Sequence, residues 1–180
     1  MTAAALIAAS YLLGCVSPGY LLVRRATGAD LRASHSGSTG ARNAGRVAGP
    51  RIAAAVFLID LLKGAVAVVI ANAAGLSTAA TAACAFAVVA GHVLPVQLRF
   101  RGGRGLSTAL GAMLVLDPWV ALCGSAAAVA VAATTRRFTI AGIAVTVAAP
   151  VAAWLLGAPD AELAAVSAMA VLIAAAHARR

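Results

Sequence analysis

The chain reads as an all-α integral membrane protein, a compact bundle of about seven transmembrane helices with some short or re-entrant, and three observations predict it. Of its 180 residues 63% are hydrophobic and only 11% charged, with a mean hydropathy of +0.98; a water-soluble globule of that composition would expose most of its apolar surface. The apolar residues are alanine, valine and leucine, with only 4% aromatics, and small side chains let helices approach closely in lipid, where packing drives association. The basic residues fall in clusters: Arg24, Arg25, Arg32, Arg42, Arg46 and Arg51; Arg99, Arg101 and Arg104; Arg136 and Arg137; Arg179 and Arg180. Basic clusters at membrane ends follow the positive-inside rule, which explains the formal charge of +9 without nucleic acid and places all four in the cytoplasm.

The elements follow in order. The apolar run 3 to 23 is a retained membrane helix entering from outside, since no positive n-region precedes it and a secretory signal would need one; Leu12-Leu13-Gly14-Cys15 resembles a lipoprotein cleavage box but lacks that basic start. Runs 52 to 74 and 76 to 98 go out and back, and the turn from Asn72 to Ser77 carries no basic residue, as an external turn should. Arg104 and Arg136 share a side, yet the 31 residues between them are too few for two full spans of about 20 residues each. Two short, tilted or re-entrant helices broken near Asp117-Pro118 satisfy both constraints, and six or five crossings remain if that pair does not cross. A last pair, 138 to 156 and 161 to 177, turns outside at Gly157 to Glu162. The expected organisation is one membrane domain, 1 to 180, with cytoplasmic loops near 24 to 51, 99 to 105 and 135 to 138.

The first loop contains His35-Ser36-Gly37-Ser38-Thr39-Gly40-Ala41-Arg42-Asn43-Ala44-Gly45-Arg46. Glycines free backbone N–H groups to face a ligand, hydroxyls add short donors and arginines add fixed positive forks, a composition suited to phosphate. The second, Arg99 to Thr108, holds Gly102-Gly103-Arg104-Gly105 directly before a helix; unpaired N–H groups and the positive dipole end make a second anion site. The glycine and lysine spacing of a nucleotide P-loop is absent. Lys63 lies about 17 Å along its helix, where a charge costs roughly 2.5 to 3.5 kcal/mol, so it needs compensation. Asp60, three residues earlier on the same face, supplies a pair, and the paired lysine can still orient a cytoplasmic pocket. His92 is either an interhelical histidine or a shaper of the second loop. Cys15, Cys84 and Cys123 are read as buried free thiols, and neither metal nor cofactor is expected.

These residues carry a family resemblance. Ser36 through Arg46 resembles the S-G-N-x-G-A-T-N-x-x-R pattern, Asp60 through Gly64 the D-x-x-K-G pattern, Gly91 through Pro95 the G-H-x-x-P pattern, and Gly102 through Gly105 the G-G-K-G pattern of the PlsY family. Gly14 through Tyr20 is similar to that family's G-S-I-P-x-G-Y. These are bacterial inner-membrane acyltransferases that use acyl phosphate, and the match runs over nearly the whole chain. The resemblance implies transfer of a fatty acyl group to the 1-hydroxyl of glycerol 3-phosphate, giving lysophosphatidic acid and phosphate at the cytoplasmic face. It implies that Arg46 and Arg104 clamp phosphates, with Ser36 and His177 also catalytic, and His177 helping proton transfer. Substrate binding would fall to Gly37, Ser38, Gly40, Asn43, Lys63, His92, Gly102, Gly103 and Thr139, the two loop glycines bringing backbone donors close. Partners would be acyl phosphate, glycerol 3-phosphate and membrane lipids, and not nucleic acid. Ser38 stands where the family usually has asparagine, Arg42 where it has threonine, and Arg101 and Arg104 where it has lysines. The family's two later serines fall on Thr139 and Gly142, and the tail from His177 is short. The rival reading is a small transporter or binding protein for an anionic lipid or metabolite, against which stand the lack of an internal repeat and basic residues gathered on one face.

Overall fold

The computed structural model describes residues 2–178 and contains, among them, helices and turns with no strand. Nine α-helices are formed: α1 Ala3–Cys15, α2 Pro18–Thr27, α3 Ala41–Ala48, α4 Pro50–Ala73, α5 Thr78–Val93, α6 Leu106–Leu116, α7 Pro118–Thr135, α8 Phe138–Leu155 and α9 Asp160–Ala178. Taking α1 and α2 as one broken span, six segments among the described residues are long and apolar enough to cross a membrane, and α6, with 11 residues, is shorter. The basic pair Arg179 and Arg180 lies outside the described residues.

Three expectations are corrected. The first apolar run is broken at Val16 and Ser17, because Pro18 cannot donate to a helical carbonyl and disfavours helix in the residue before it. Three carbonyls freed by the break gain side-chain donors. Lys63 Nζ donates to Gly14 at 3.0 Å and to Val16 at 2.7 Å, while Gln97 Nε2 donates to Cys15. The expected pair of short helices is one short and one full helix, for α7 has 18 residues. Its start is fixed by Pro118 at the first position and by Asp117, whose carboxylate accepts from the amides of Trp119 at 2.9 Å and Val120 at 3.1 Å. Finally, Cys123 is exposed on α7, not buried like Cys15 and Cys84. The long first loop also contains α3, whose start at Gly40 and end at Gly49 are set by glycines.

Close packing comes from glycines placed where two backbones touch. A Cβ at Gly14 would lie 2.1 Å from the Val88 carbonyl oxygen, and one at Gly91 would lie 2.0 Å from that of Tyr11, so α1 and α5 meet backbone to backbone from both sides. Gly64 and Gly111 do the same for α4 and α6, at 2.1 Å from Thr108 O and 1.9 Å from Leu61 O. This is the small-residue packing expected in lipid. The surface is apolar in turn, with Val129 and Val171 exposed. Trp119 and Trp154, both exposed, sit in the first turn of α7 and the last turn of α8, the end away from the arginine loops, as interfacial anchors do.

Candidate active site

At the arginine end, α3 and α6 begin within one cavity of about 450 Å³. Its lining includes Ser36, Ser38, Gly40, Arg42, Asn43, Arg46, Asp60, His92, Arg104, Ser107, Thr139 and His177. Nine of the residues singled out from sequence therefore share one space, although the chain separates the outermost, Ser36 and His177, by most of its length. The first-turn amides of each helix have no carbonyl four residues back, so both N-termini present donors and positive dipole ends to this space. Three guanidinium groups add to them. Arg104 is half-buried, and burial first, then the charges of Arg42 and Arg46, pushes its pKa below the usual arginine value. Cations crowded in this way want an anion between them.

The loop geometry is fixed by a few contacts. Asn43, buried on α3, donates from Nδ2 to the carbonyls of Leu31, Ser34 and Ser38 at 3.1, 3.0 and 2.9 Å, so it orders the serine loop from behind. Ser38 Oγ accepts from the Gly40 amide at 3.2 Å, and the Thr39 amide donates to the Gly102 carbonyl at 3.2 Å, tying the two loops together. Arg32 is held bidentately by Asp30, with Nε–Oδ1 at 3.0 Å and Nη2–Oδ2 at 2.7 Å, and that hydrogen-bonded guanidinium lowers the Asp30 pKa to about 2.

Two substrate-binding expectations change. The Gly102 amide donates to Val93 O at 3.2 Å and the Gly103 amide to His92 O at 3.0 Å, so neither is free to hold phosphate. These glycines are needed for space: a Cβ at Gly102 would meet His92 O at 2.1 Å, and one at Gly103 would meet His92 Nε2 at 2.0 Å. Gly37, Gly102 and Gly103 line an adjoining cavity of about 310 Å³, which shares Ser36, Ser38 and Arg104 with the first. Lys63 lines neither. It is buried behind Asp60, with Nζ 2.8 Å from Oδ1, and holds the α1–α2 break; His92 Nδ1 lies 3.2 Å from the same carboxylate oxygen. The Asp60–Lys63–His92 cluster thus supports the site from within the bundle.

His177 has a defined tautomer when neutral. Nδ1 is 2.8 Å from the Ile173 carbonyl oxygen, which can only accept, so Nδ1 carries the hydrogen and Nε2 is left as an acceptor. Nε2 lies by Gly142, where an added Cβ would be 2.8 Å away. Sequence reasoning did not select Arg42, Phe57, Asp60, Ser107 or Phe138 as site residues. Asp60 had a signal in its spacing from Lys63, and Arg42 had one as an extra charge inside the motif; the two phenylalanines had none.

An apolar groove of about 410 Å³ runs on from the polar cavity, sharing Phe57, Leu106, Ser107 and Phe138 with it. It passes between α6, α7, α8 and α9 toward Met113, Val120 and Val166. Beyond Ser107 at its mouth, the hydroxyls in its wall are satisfied internally, Ser125 donating to Ala121 O and Thr146 to Ile143 O, both at 2.7 Å, so the deeper wall is apolar in effect.

A polar, arginine-rich chamber opening into an apolar groove inside a helical membrane bundle suits an enzyme that handles a phosphate-bearing compound and a lipid chain together. The family model described as glycerol-3-phosphate acyltransferase matches residues 4–180. Glycerol-3-phosphate acyltransferase 1 of Desulfitobacterium hafniense is 40% identical over 172 residues, 96% of this chain and 85% of that protein. Its counterpart from Myxococcus xanthus is 43% identical over 142 residues, 78% and 73% of the two chains. The crystal structure of PlsY, an integral membrane glycerol 3-phosphate acyltransferase, in its glycerol 3-phosphate form is similar with a TM-score of 0.91 and 32% identity, covering 97% of this chain and 88% of that one. Its lysophosphatidic acid form gives 0.88 and 30%, covering 98% and 88%. The chain belongs to the glycerol-3-phosphate acyltransferase family.

Proposed function

We propose that the protein transfers a fatty acyl group from acyl phosphate to the 1-hydroxyl of glycerol 3-phosphate, at the cytoplasmic face of a bacterial inner membrane. The observation that carries this reading is the direct junction of the arginine-lined cavity with the apolar groove. One compartment suits two phosphates and the other a hydrocarbon chain, and the reacting carbonyl belongs where they meet. Further support comes from the relatives, named glycerol-3-phosphate acyltransferases, and from solved structures in glycerol 3-phosphate and lysophosphatidic acid forms.

In this reading Arg46 and Arg104 clamp phosphate, the α3 and α6 N-termini add donors, and Ser36 and Ser38 contribute hydroxyls. The 1-hydroxyl oxygen attacks the acyl carbon, an ester bond forms, and the acyl carbon–oxygen bond to phosphate breaks. The hydroxyl proton passes to His177 Nε2 or to the phosphate group itself and ends on the departing inorganic phosphate. The donor is already activated, so proximity and charge stabilisation carry most of the acceleration.

The test compares two arginines in the purified, bilayer-embedded protein. Arg46→Ala should lose a charge-assisted phosphate contact of about 1.5 to 3 kcal/mol, raising the KM for glycerol 3-phosphate or abolishing turnover. Arg24, which donates to Tyr20 Oη at 2.7 Å outside the cavity, should do much less as Arg24→Ala. Equal small losses would make the first loop an anchor and not a site.

A further inference from the structure

Arg42 occupies a position distinct from the other cavity arginines. It sits in the first turn of α3, one turn before Arg46 and on the same face, which brings both guanidinia to one cavity wall. Unlike Arg46, it reaches across to α8. Its Nη1 is 3.4 Å from Thr139 Oγ1, a contact spanning 97 residues of chain, and its guanidinium lies 5.2 Å from the centroid of the Phe138 ring. Phe138 lines both the polar cavity and the apolar groove, so Arg42 stands at the boundary between them. Threonine, the usual residue there in the family this chain resembles, could not span that gap.

The charge balance of the cavity leaves Arg42 available. Among the described lining residues the carboxylate is Asp60, and Lys63 and His92 already surround it. Three guanidinium groups therefore face a space without a free counter-charge, while the proposed reaction brings in two phosphate groups. An acyl phosphate has its phosphate and its hydrocarbon on opposite sides of one carbonyl, so its phosphate must lie at the cavity–groove boundary. Glycerol 3-phosphate need bring only its 1-hydroxyl there, and with no hydrocarbon chain to seat in the groove its phosphate can lie deeper in the polar cavity. We infer that Arg42 binds the phosphate of the acyl donor at this boundary, and that its seat on Phe138 and Thr139 fixes where the scissile acyl carbon–oxygen bond lies. This rests on the acyltransferase reading above, and it makes Arg42 a determinant of donor affinity.

The test is steady-state kinetics of the purified protein in lipid nanodiscs, varying palmitoyl phosphate and glycerol 3-phosphate in turn. Arg42→Gln should raise the KM for acyl phosphate about tenfold or more, with the KM for glycerol 3-phosphate within about twofold of wild type. Arg42→Lys should recover part of that loss, keeping charge without the planar fork. Phe138→Leu removes the ring under the guanidinium without altering charge, and should move donor KM in the same direction by a smaller factor. Titration with a non-reactive acyl phosphonate should show the same ranking, a readout that a merely structural role would not move. Wild-type activity with an unchanged donor KM in Arg42→Gln would overturn the inference, as would a rise confined to glycerol 3-phosphate. Wild-type protein inert toward acyl phosphate would instead overturn the acyltransferase reading, and the inference with it.

Discussion

Adding one methyl group at Gly103 tests how the second loop is built. The Cβ of Gly103→Ala would fall 2.0 Å from His92 Nε2, against about 3.4 Å for an ordinary contact, so something must move by roughly 1.4 Å. His92 cannot yield freely: it is buried and lies against Asp60 at 3.2 Å, and its carbonyl accepts from the Gly103 amide. The displacement therefore falls on the loop that carries Arg104. A misplacement of about 1 Å costs on the order of a hundredfold in rate, or about 2.7 kcal/mol of barrier. The assay is kcat for lysophosphatidic acid formation, with Gly103→Ala, His92→Ala and the double variant compared as a cycle. Removing the imidazole makes room for the methyl, so Gly103→Ala should cost much less in the His92→Ala background, whatever His92→Ala costs alone. Full activity in Gly103→Ala, or strict additivity, would refute the reasoning.

Other consequences can be measured directly. Lys63→Met leaves Asp60 without its 2.8 Å partner and two carbonyls at the α1–α2 break without their donor, and should destabilise the bundle by about 3 to 5 kcal/mol in thermal unfolding; adding Asp60→Asn should recover part of that loss. Asp30 titrates at about 2 in the folded protein against roughly 3.9 unfolded, so its pairing with Arg32 contributes fully above about pH 4 and is lost as pH falls through about 2. The stability difference between wild type and Asp30→Asn should thus be flat from roughly pH 5 to 8 and shrink below pH 4; a change within the flat range would contradict the assignment. A cysteine placed at Ser38, on the half-buried rim of the cavity, should react with a membrane-impermeant thiol reagent in inside-out vesicles and not in intact cells.

Much of the fold was readable because a membrane imposes strong rules. Continuous apolar runs and charge clusters placed α4, α5, α8 and α9 within a few residues, and the deficit of length between Arg104 and Arg136 pointed to two short helices, of which only α6 is short while α7 is full length. The break at Val16 was harder to see. Its cause, Pro18, is local, but its stabilisers, Lys63 and Gln97, are distant in sequence. The lining of the candidate site was legible as motifs, since Ser36, Arg46, His92, Arg104 and His177 do line one cavity. The task of each glycine was not. The same Gly-Gly pair serves as a free-amide cradle or as a space for a histidine, and only the position of His92 distinguishes them. Phe57 and Phe138 gave no signal for the same reason: an aromatic residue in a membrane chain looks alike whether it faces lipid or joins two compartments.

The central claim, that the arginine cavity and the groove together make lysophosphatidic acid from acyl phosphate, is tested most directly by following phosphorus in a single reaction. Purified wild-type protein in nanodiscs is mixed with palmitoyl phosphate and glycerol 3-phosphate, and 31P spectra are recorded over time, with a parallel sample in which palmitoyl coenzyme A replaces the donor. The acyl phosphate and glycerol 3-phosphate signals should fall together while inorganic phosphate and lysophosphatidic acid rise in equal amounts, and the thioester sample should stay unchanged. Phosphate released without lysophosphatidic acid, acyl transfer from the thioester alone, or no change in either sample would contradict it.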